Sequence, residues 1–288
     1  MKKNVIGVSA STAAQATGAG WDRIPFFGYQ GMGRQANPCI GASYVAPVTL
    51  EPGAAGVADV QPQRGFETVT LMFQGQLQTR DSAGHAAMLE AGDVLWNCAG
   101  RGLLRQDQGG PRLAAEGGTL ELATLWVNLP ADYKMTDPHQ QHLAAASIPV
   151  VELGDGVGEL RVIAGEYEGV VGPAETVTPL QLWDIRLQAG EQETLLKLPS
   201  HWYGVLLVLE GAVHVNYWQQ PVTAQHLVFL GTPGQEVGLR AEQDTRLLLI
   251  SGEPLDETIA GSGELVLNTP EQVEQSLQDL AAGQFGTL

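Results

Sequence analysis

The sequence is short of several things. Cysteine occurs twice in 288 residues, at Cys39 and Cys98. One disulfide is arithmetically available, but two thiols are too few for a disulfide scaffold, and they read as small buried side chains in a reducing compartment. Basic residues are scarce: 15 Lys and Arg stand against 32 Asp and Glu, a formal net charge of −17. Such a chain repels phosphate backbones, and no Lys/Arg run offers a local exception, so direct nucleic-acid binding is not expected. The charge suits solubility and a basic protein partner. No stretch approaches the roughly 20 apolar residues needed to cross a bilayer, so no membrane span is expected. The opening MKKNVIGVSASTAAQATGAG imitates a signal peptide, yet its apolar run VIGV is short and is interrupted by Ser and Gly. It reads as the disordered or loosely packed start of a cytoplasmic protein. No Gly-x-Ser-x-Gly elbow and no phosphate-loop pattern occur, and GYQGMGRQ (28–35) has the wrong spacing for one. His-x-His, a compact metal-ligand spacing, is missing altogether.

What is present is strand. The chain is 44% hydrophobic, with 36 Gly and 16 Pro to punctuate short elements, enough for a sizeable core. FETVTLMF and GQLQTRDS form two strands of a hairpin around Gly75, with Thr68, Thr70 and Met72 alternating with Val69, Leu71 and Phe73. A turn at DSAGH, a strand after the AGD turn that holds Asp93, and TLELATLWVNL ending at Pro130 follow. Residues 130–148, rich in turn formers, read as a linker. The strand pattern then returns, and it echoes the first. TLMFQGQLQT matches LLVLEGAVHV in layout, with Gly75 and Gly211 at the same hairpin, and EAGDVLWNCAGRG matches TAQHLVFLGTPGQ. Recurrence in the same order implies a duplicated β-barrel. Only the end changes period: Thr269 as N-cap, Pro270 at the first helical position, Val273, Leu277 and Leu280 at i, i+4, i+7, and Gly283 as a stop predict one amphipathic helix.

Several separate segments resemble one family, the pirins, which are bicupins of the cupin superfamily. They are RGFETVT (64–70), RDSAGH (80–85), AGDVLWNCAGRG (91–102), LWVNLPADYKM (125–135) and most of 252–286. The resemblance runs from about residue 60 to the C-terminus. It implies an all-β fold of two stacked cupin (jelly-roll) barrels with a short C-terminal helix segment that returns toward the N-terminal barrel. The division expected is a poorly matched segment at 1–40, an N-terminal barrel at 41–130, a linker at 131–150, and a C-terminal barrel with the helix at 151–288.

The resemblance also implies one iron in the N-terminal barrel, held by two His of an HPHRGFE motif and by a His and a Glu of a GRGxxHSE motif. Here the first motif reads QPQRGFE and the second GRGLLRQD. The four ligand positions are therefore Gln61, Gln63, Arg105 and Asp107. The surrounding Arg64, Glu67 and Arg101 survive, with Glu67 expected to pair near Arg64. Amide oxygens are weak neutral donors, and a guanidinium has no lone pair to give. No iron is expected; one carboxylate and two amides leave only a loose hold on a hard ion. Arg105 either turns inward, pairing with Asp107 and donating to the Gln61 and Gln63 carbonyls, or faces bulk water. Turned inward it offers a site for a small polar or anionic ligand.

The six histidines suggest no replacement site. His85 reads as a surface turn residue, and His139 and His142 as i, i+3 neighbours on a helical turn of the linker. Of the three in the second barrel, His201 falls away from a ligand position, His214 alternates with Val213 and Val215 on a strand that leaves either face open to it, and His226 precedes an apolar strand. The resemblance implies two functions, quercetin oxidation by dioxygen or regulation through a bound protein. The residues favour a cofactor-free binding or regulatory protein with a protein partner or a small ligand. The alternatives are a quercetin 2,3-dioxygenase-like oxygenase with divergent ligands, and a metal-independent enzyme using Arg105, Asp107 and Glu67.

Overall fold

The computed structural model describes residues 1–154 and 156–288. The fold is all-β with two cupin domains, and a helix at Pro270–Ala281. The chain divides into two compact units, each gathered from separate stretches. One holds Ala13–Arg34, Ile40–Ala145 and Asp256–Leu288; the other holds Met1–Thr12, Gln35–Cys39 and Ala146–Leu255. They are called the first and second unit below.

Each unit carries a seven-stranded and a four-stranded sheet. In the first unit the larger sheet runs in the order His139–Leu143, Val94–Cys98, Phe66–Gln74, Gly118–Asn128, Cys39–Leu50, Asp22–Phe27, Gln15–Ala16. The smaller runs Gln61–Gln63, Leu103–Gly109, Gln76–Asp81, Ala86–Glu90. The second unit repeats the plan, its larger sheet ordered Val5–Ala10, His226–Leu230, Tyr203–Glu210, Thr245–Gly252, Leu180–Leu187, Gly158–Ala164, Val150–Glu152. The matching hairpins turn at Gly75 (φ 89°) and Gly211 (φ 79°), left-handed values that favour glycine. A Cβ at either would also meet a backbone oxygen, Thr119 O at 2.6 Å or Asp244 O at 2.2 Å. In the first unit the core joins residues of both sheets, Met72, Leu95 and Leu122 from the larger with Leu77 and Leu89 from the smaller. Strand Phe66–Gln74 is buried on both faces up to its last residue. Its alternation therefore separates two environments: Thr68, Thr70 and Met72 face the unit's interior, and Glu67, Val69 and Leu71 face the other side of the sheet.

The structure departs from the sequence-based division in four places. The start of the chain is ordered: Val5–Ala10 pairs antiparallel with His226–Leu230, and Lys3 is 1% exposed, its Nζ donating to the Trp202 carbonyl at 2.8 Å. VIGVSA lacks an apolar run because it is an edge strand, held by backbone hydrogen bonds more than by side-chain burial. The supposed linker contains strand His139–Leu143, paired with Val94–Cys98, so His139 and His142 lie on a strand and not on a helical turn. Residues 256–288 belong with the first unit, tied to it where the Arg64 N–H donates to Glu264 O at 3.1 Å and the Val266 N–H to Arg64 O at 2.9 Å. A short helix at Pro111–Glu116 was not anticipated.

The C-terminal helix starts where expected. Thr269 accepts from the Gln272 N–H, and the Gln272 side chain accepts from the Thr269 N–H, a complete capping box. Its buried face is rotated from the Val273–Leu277–Leu280 stripe. Val273 is buried, but so is Ser276, while Leu277 stays 46% exposed. The cause is Arg64, whose Nη1 donates to Ser276 Oγ at 3.1 Å and to Asp279 Oδ2 at 2.7 Å and whose guanidinium lies 4.4 Å from the Phe285 ring. A buried cation takes priority over an apolar stripe because leaving it unpaired costs more than exposing one Leu.

Candidate functional site

Strand Leu103–Gly109 lies between Gln61–Gln63 and Gln76–Asp81, with Arg105 opposite Gln61 on one side and Asp81 on the other. Arg105 and Asp107 are two apart, so both side chains leave the strand on one face, toward the interior. Arg105 is 3% exposed. Its Nε donates to Asp107 Oδ1 at 2.9 Å and its Nη2 to Asp107 Oδ2 at 3.2 Å, a two-pronged pair. Two further N–H groups, on Nη1 and Nη2, reach Thr68 Oγ1 at 2.8 Å and Thr70 Oγ1 at 3.1 Å. The inward orientation is the one found, with a different set of acceptors: threonine hydroxyls of the larger sheet, not the carbonyls of Gln61 and Gln63.

Gln63 instead donates from Nε2 to Glu264 Oε2 at 2.7 Å. Its own Oε1 is buried and has no partner among the described residues. Glu264 also lies 3.7 Å from Arg23 Nη1. Burial raises the Glu264 pKa; the Gln63 amide, Arg23 and Arg105 pull it back, and Asp107 adds to the rise. The groups enclose a cavity of ≈ 40 Å³, walled on its apolar side by Trp21, Val45, Leu77 and Leu122. That is room for a few water-sized groups. Gln61, Gln63, Arg105 and Asp107 thus come together at one cavity, and Glu264 and Arg23 join them. Neither of the last two carries a local motif. They arrive through chain segments far from 61–107 in sequence, and backbone pairing of Arg64 with residues 264–266 brings Glu264 in.

The supporting residues divide. Arg64 turns away from the cavity, its Nε donating to the Arg101 carbonyl at 2.7 Å and its Nη1 reaching the C-terminal helix. The Arg101 side chain is largely exposed and pairs with Asp137 at 2.5 Å. Glu67 is not the partner of Arg64. It lies on the opposite face of the sheet, 2% exposed, where burial pushes its carboxyl up to about 7 and the Trp96 indole offsets part of the rise. Deep in the same unit, Lys134 donates to Gly65 O, Asn128 Oδ1 and Val266 O, and burial lowers it to about 7. His85 bonds Asp81 at 2.9 Å, and His142 bonds Asp93 Oδ2 at 3.1 Å; both histidines serve turns. Asp93 does more than terminate a turn, since it also accepts from the Ala145 N–H.

Two family models match the chain. The model described as "Pirin" covers residues 24–127, and "Pirin C-terminal cupin domain" covers 182–286. The chain is 38% identical over 285 residues to a Pseudomonas aeruginosa protein that carries a provisional quercetin 2,3-dioxygenase name, with 98% of each chain covered. The chain belongs to the pirin family. This pirin is also 35% identical to Pirin-1 of Arabidopsis thaliana over 78% of its own length and 77% of the relative's. Among solved structures it superposes on a quercetin 2,3-dioxygenase from Acinetobacter baumannii with a TM-score of 0.95 and 35% identity, covering 100% of this chain and 99% of the other.

Pirins are expected to hold iron at the four positions now occupied by Gln61, Gln63, Arg105 and Asp107, and in this pirin those side chains do not fit it. The only anionic member, Asp107, has both oxygens engaged by Arg105. Arg105 has no lone pair to offer and carries a fixed charge of the ion's own sign. The other two positions offer only the neutral amide oxygens of Gln61 and Gln63, of which Gln63 Oε1 is buried without a partner among the described residues. Neutral amide oxygens beside a guanidinium are no seat for a transition-metal ion.

Proposed function

We propose that this pirin works by binding, and does not turn over substrate at an iron centre in its first unit. The reading rests on Arg105, a permanent cation whose five N–H donors include four aimed at Asp107, Thr68 and Thr70 inside the cavity. The guanidinium supplies the positive charge that an ion would bring, held by covalent attachment and insensitive to chelators. The lining suits a small polar ligand that accepts from Arg105 or Arg23 and donates to Gln63 Oε1, such as a carboxylic acid of one or two carbons. Binding of that ligand, or of a basic protein by the acidic surface, is the activity proposed.

A second reading, quercetin 2,3-dioxygenase-like oxygenation with divergent ligands, is favoured by the names of the relatives at 38% and 35% identity. One experiment separates the two. The full chain, purified and supplied with Fe²⁺, is assayed for bound iron and for quercetin-dependent oxygen uptake. The binding reading expects neither stoichiometric iron nor uptake above the protein-free rate. Turnover that disappears on Asp107→Asn substitution would establish the oxygenase instead.

A further inference from the structure

The larger sheet of the first unit carries a second constellation on the face away from the cavity. Glu67 is directly opposite Cys98 in the register of Phe66–Gln74 with Val94–Cys98, and Cys98 is directly opposite His139 in the register of Val94–Cys98 with His139–Leu143. Directly opposed residues share a face, so three consecutive strands present carboxylate, thiol and imidazole in one row. A Glu67 oxygen, Cys98 Sγ and a His139 ring nitrogen all lie within 4.8 Å of one another. We propose that Glu67, Cys98 and His139 form a binding site for a divalent ion of borderline softness, with Zn²⁺ the best match.

Four observations carry the proposal. The donor set is mixed oxygen, sulfur and nitrogen, the combination Zn²⁺ accepts in four-coordinate sites. The spacing is close: the three donor atoms lie within 4.8 Å of one another, and tetrahedral Zn²⁺ holds its donors roughly 3.5 Å apart. The His139 Nδ1 is engaged by the Asp137 carbonyl at 3.0 Å. With Nδ1–H donating there, Nε2 carries the ring's free lone pair, the usual outer-shell arrangement of a metal-bound histidine. Finally, the two inner donors are buried. Glu67 is 2% and Cys98 0% exposed. A bound dication would satisfy both groups at once. His139, exposed at the beginning of an edge strand, gives the ion a way in. Three protein donors leave the fourth position to water.

The site is independent of the Arg105 cavity, and its test keeps the two apart. Chelator-treated full-length protein is titrated with Co²⁺, whose thiolate charge-transfer band in the near-ultraviolet reports sulfur ligation, and then with competing Zn²⁺. The expected result is one equivalent of Co²⁺ per chain with that band. Cys98→Ser abolishes the band, His139→Gln weakens binding at least tenfold, and Asp107→Asn changes neither. His139 is exposed, so its variant tests the site without endangering the fold. A folded wild type that develops no thiolate band, or a band whose stoichiometry and affinity survive His139→Gln, would overturn the assignment. Metal in the cavity would give no thiolate band and would ignore Cys98→Ser.

Discussion

Arg105 holds three polar side chains together, and its removal is expected to show in stability before it shows in function. Arg105→Gln leaves Asp107 and two threonine hydroxyls without their donor. It is expected to cost about 3 kcal/mol in urea unfolding, since breaking a largely buried pair strands the partner charge. The converse variant restores the family ligands: Gln61→His, Gln63→His, Arg105→His and Asp107→Glu together. Its expected outcome is stoichiometric iron binding that no single member of the set produces, read by metal analysis of the purified variant. Glu67 makes a separate prediction. Its carboxyl is held up at about 7 from an ordinary 4.5, so the folded state keeps a proton that the unfolded chain gives up. That contribution is complete below pH 4.5 and is lost as pH rises to about 7, of order 3 kcal/mol. Glu67→Gln is expected to flatten the fall in unfolding free energy between pH 5 and 7. Lys134, lowered to about 7, bends the profile the other way above that range. At this scale the sequence disclosed which four positions meet in the cavity, because the motifs carry their own register. It did not disclose their partners. Thr68 and Thr70 looked like ordinary strand residues, and the contact between Gln63 and Glu264 spans 201 residues.

The strands were legible because their alternation is local, and the C-terminal helix because its capping box is written in adjacent letters. Thr269→Ala removes that cap and is expected to cost about 1 kcal/mol, measured as faster amide exchange in the first turn of Pro270–Ala281 before global unfolding. Two elements were hidden for physical reasons. Val5–Ala10 is partly exposed and draws its order from pairing with His226–Leu230, which a single segment cannot announce. Deleting residues 1–11 is expected to strip amide protection from Leu227–Leu230, seen by hydrogen-exchange mass spectrometry, because that strand then becomes the open edge of its sheet. His139–Leu143 was obscured by the polar letters HQQHL, which look like a linker until the neighbouring Val94–Cys98 strand supplies the hydrogen bonds. The rotated face of the helix has the same origin: Ser276 and Asp279 are turned inward by Arg64, a residue more than 200 positions upstream.

At the scale of the whole chain, duplication was readable from the recurring hairpins, and the repeated pairing of a seven-stranded with a four-stranded sheet agrees with it. The assignment of segments to units was not readable, because proximity along the chain is a poor guide once the two ends are exchanged. Residues 1–12 complete the second unit, and 256–288 complete the first. Cutting between residues 145 and 146 is therefore expected to yield two fragments that fail to fold separately but recover cooperative unfolding when co-expressed, checked by thermal melts of the purified mixture.

This arrangement constrains how the protein is made. The hairpin turn that supplies Glu264 and the helix that anchors Arg64 leave the ribosome more than 200 residues after Gln63 and Arg64, although most of the unit they finish has emerged long before. At about 5–20 residues per second, synthesis of the chain takes roughly 15–60 s. For much of that time Arg64 has no Asp279 and Gln63 has no Glu264, so the nascent polypeptide waits with this cavity unsealed until residues 264–279 have emerged.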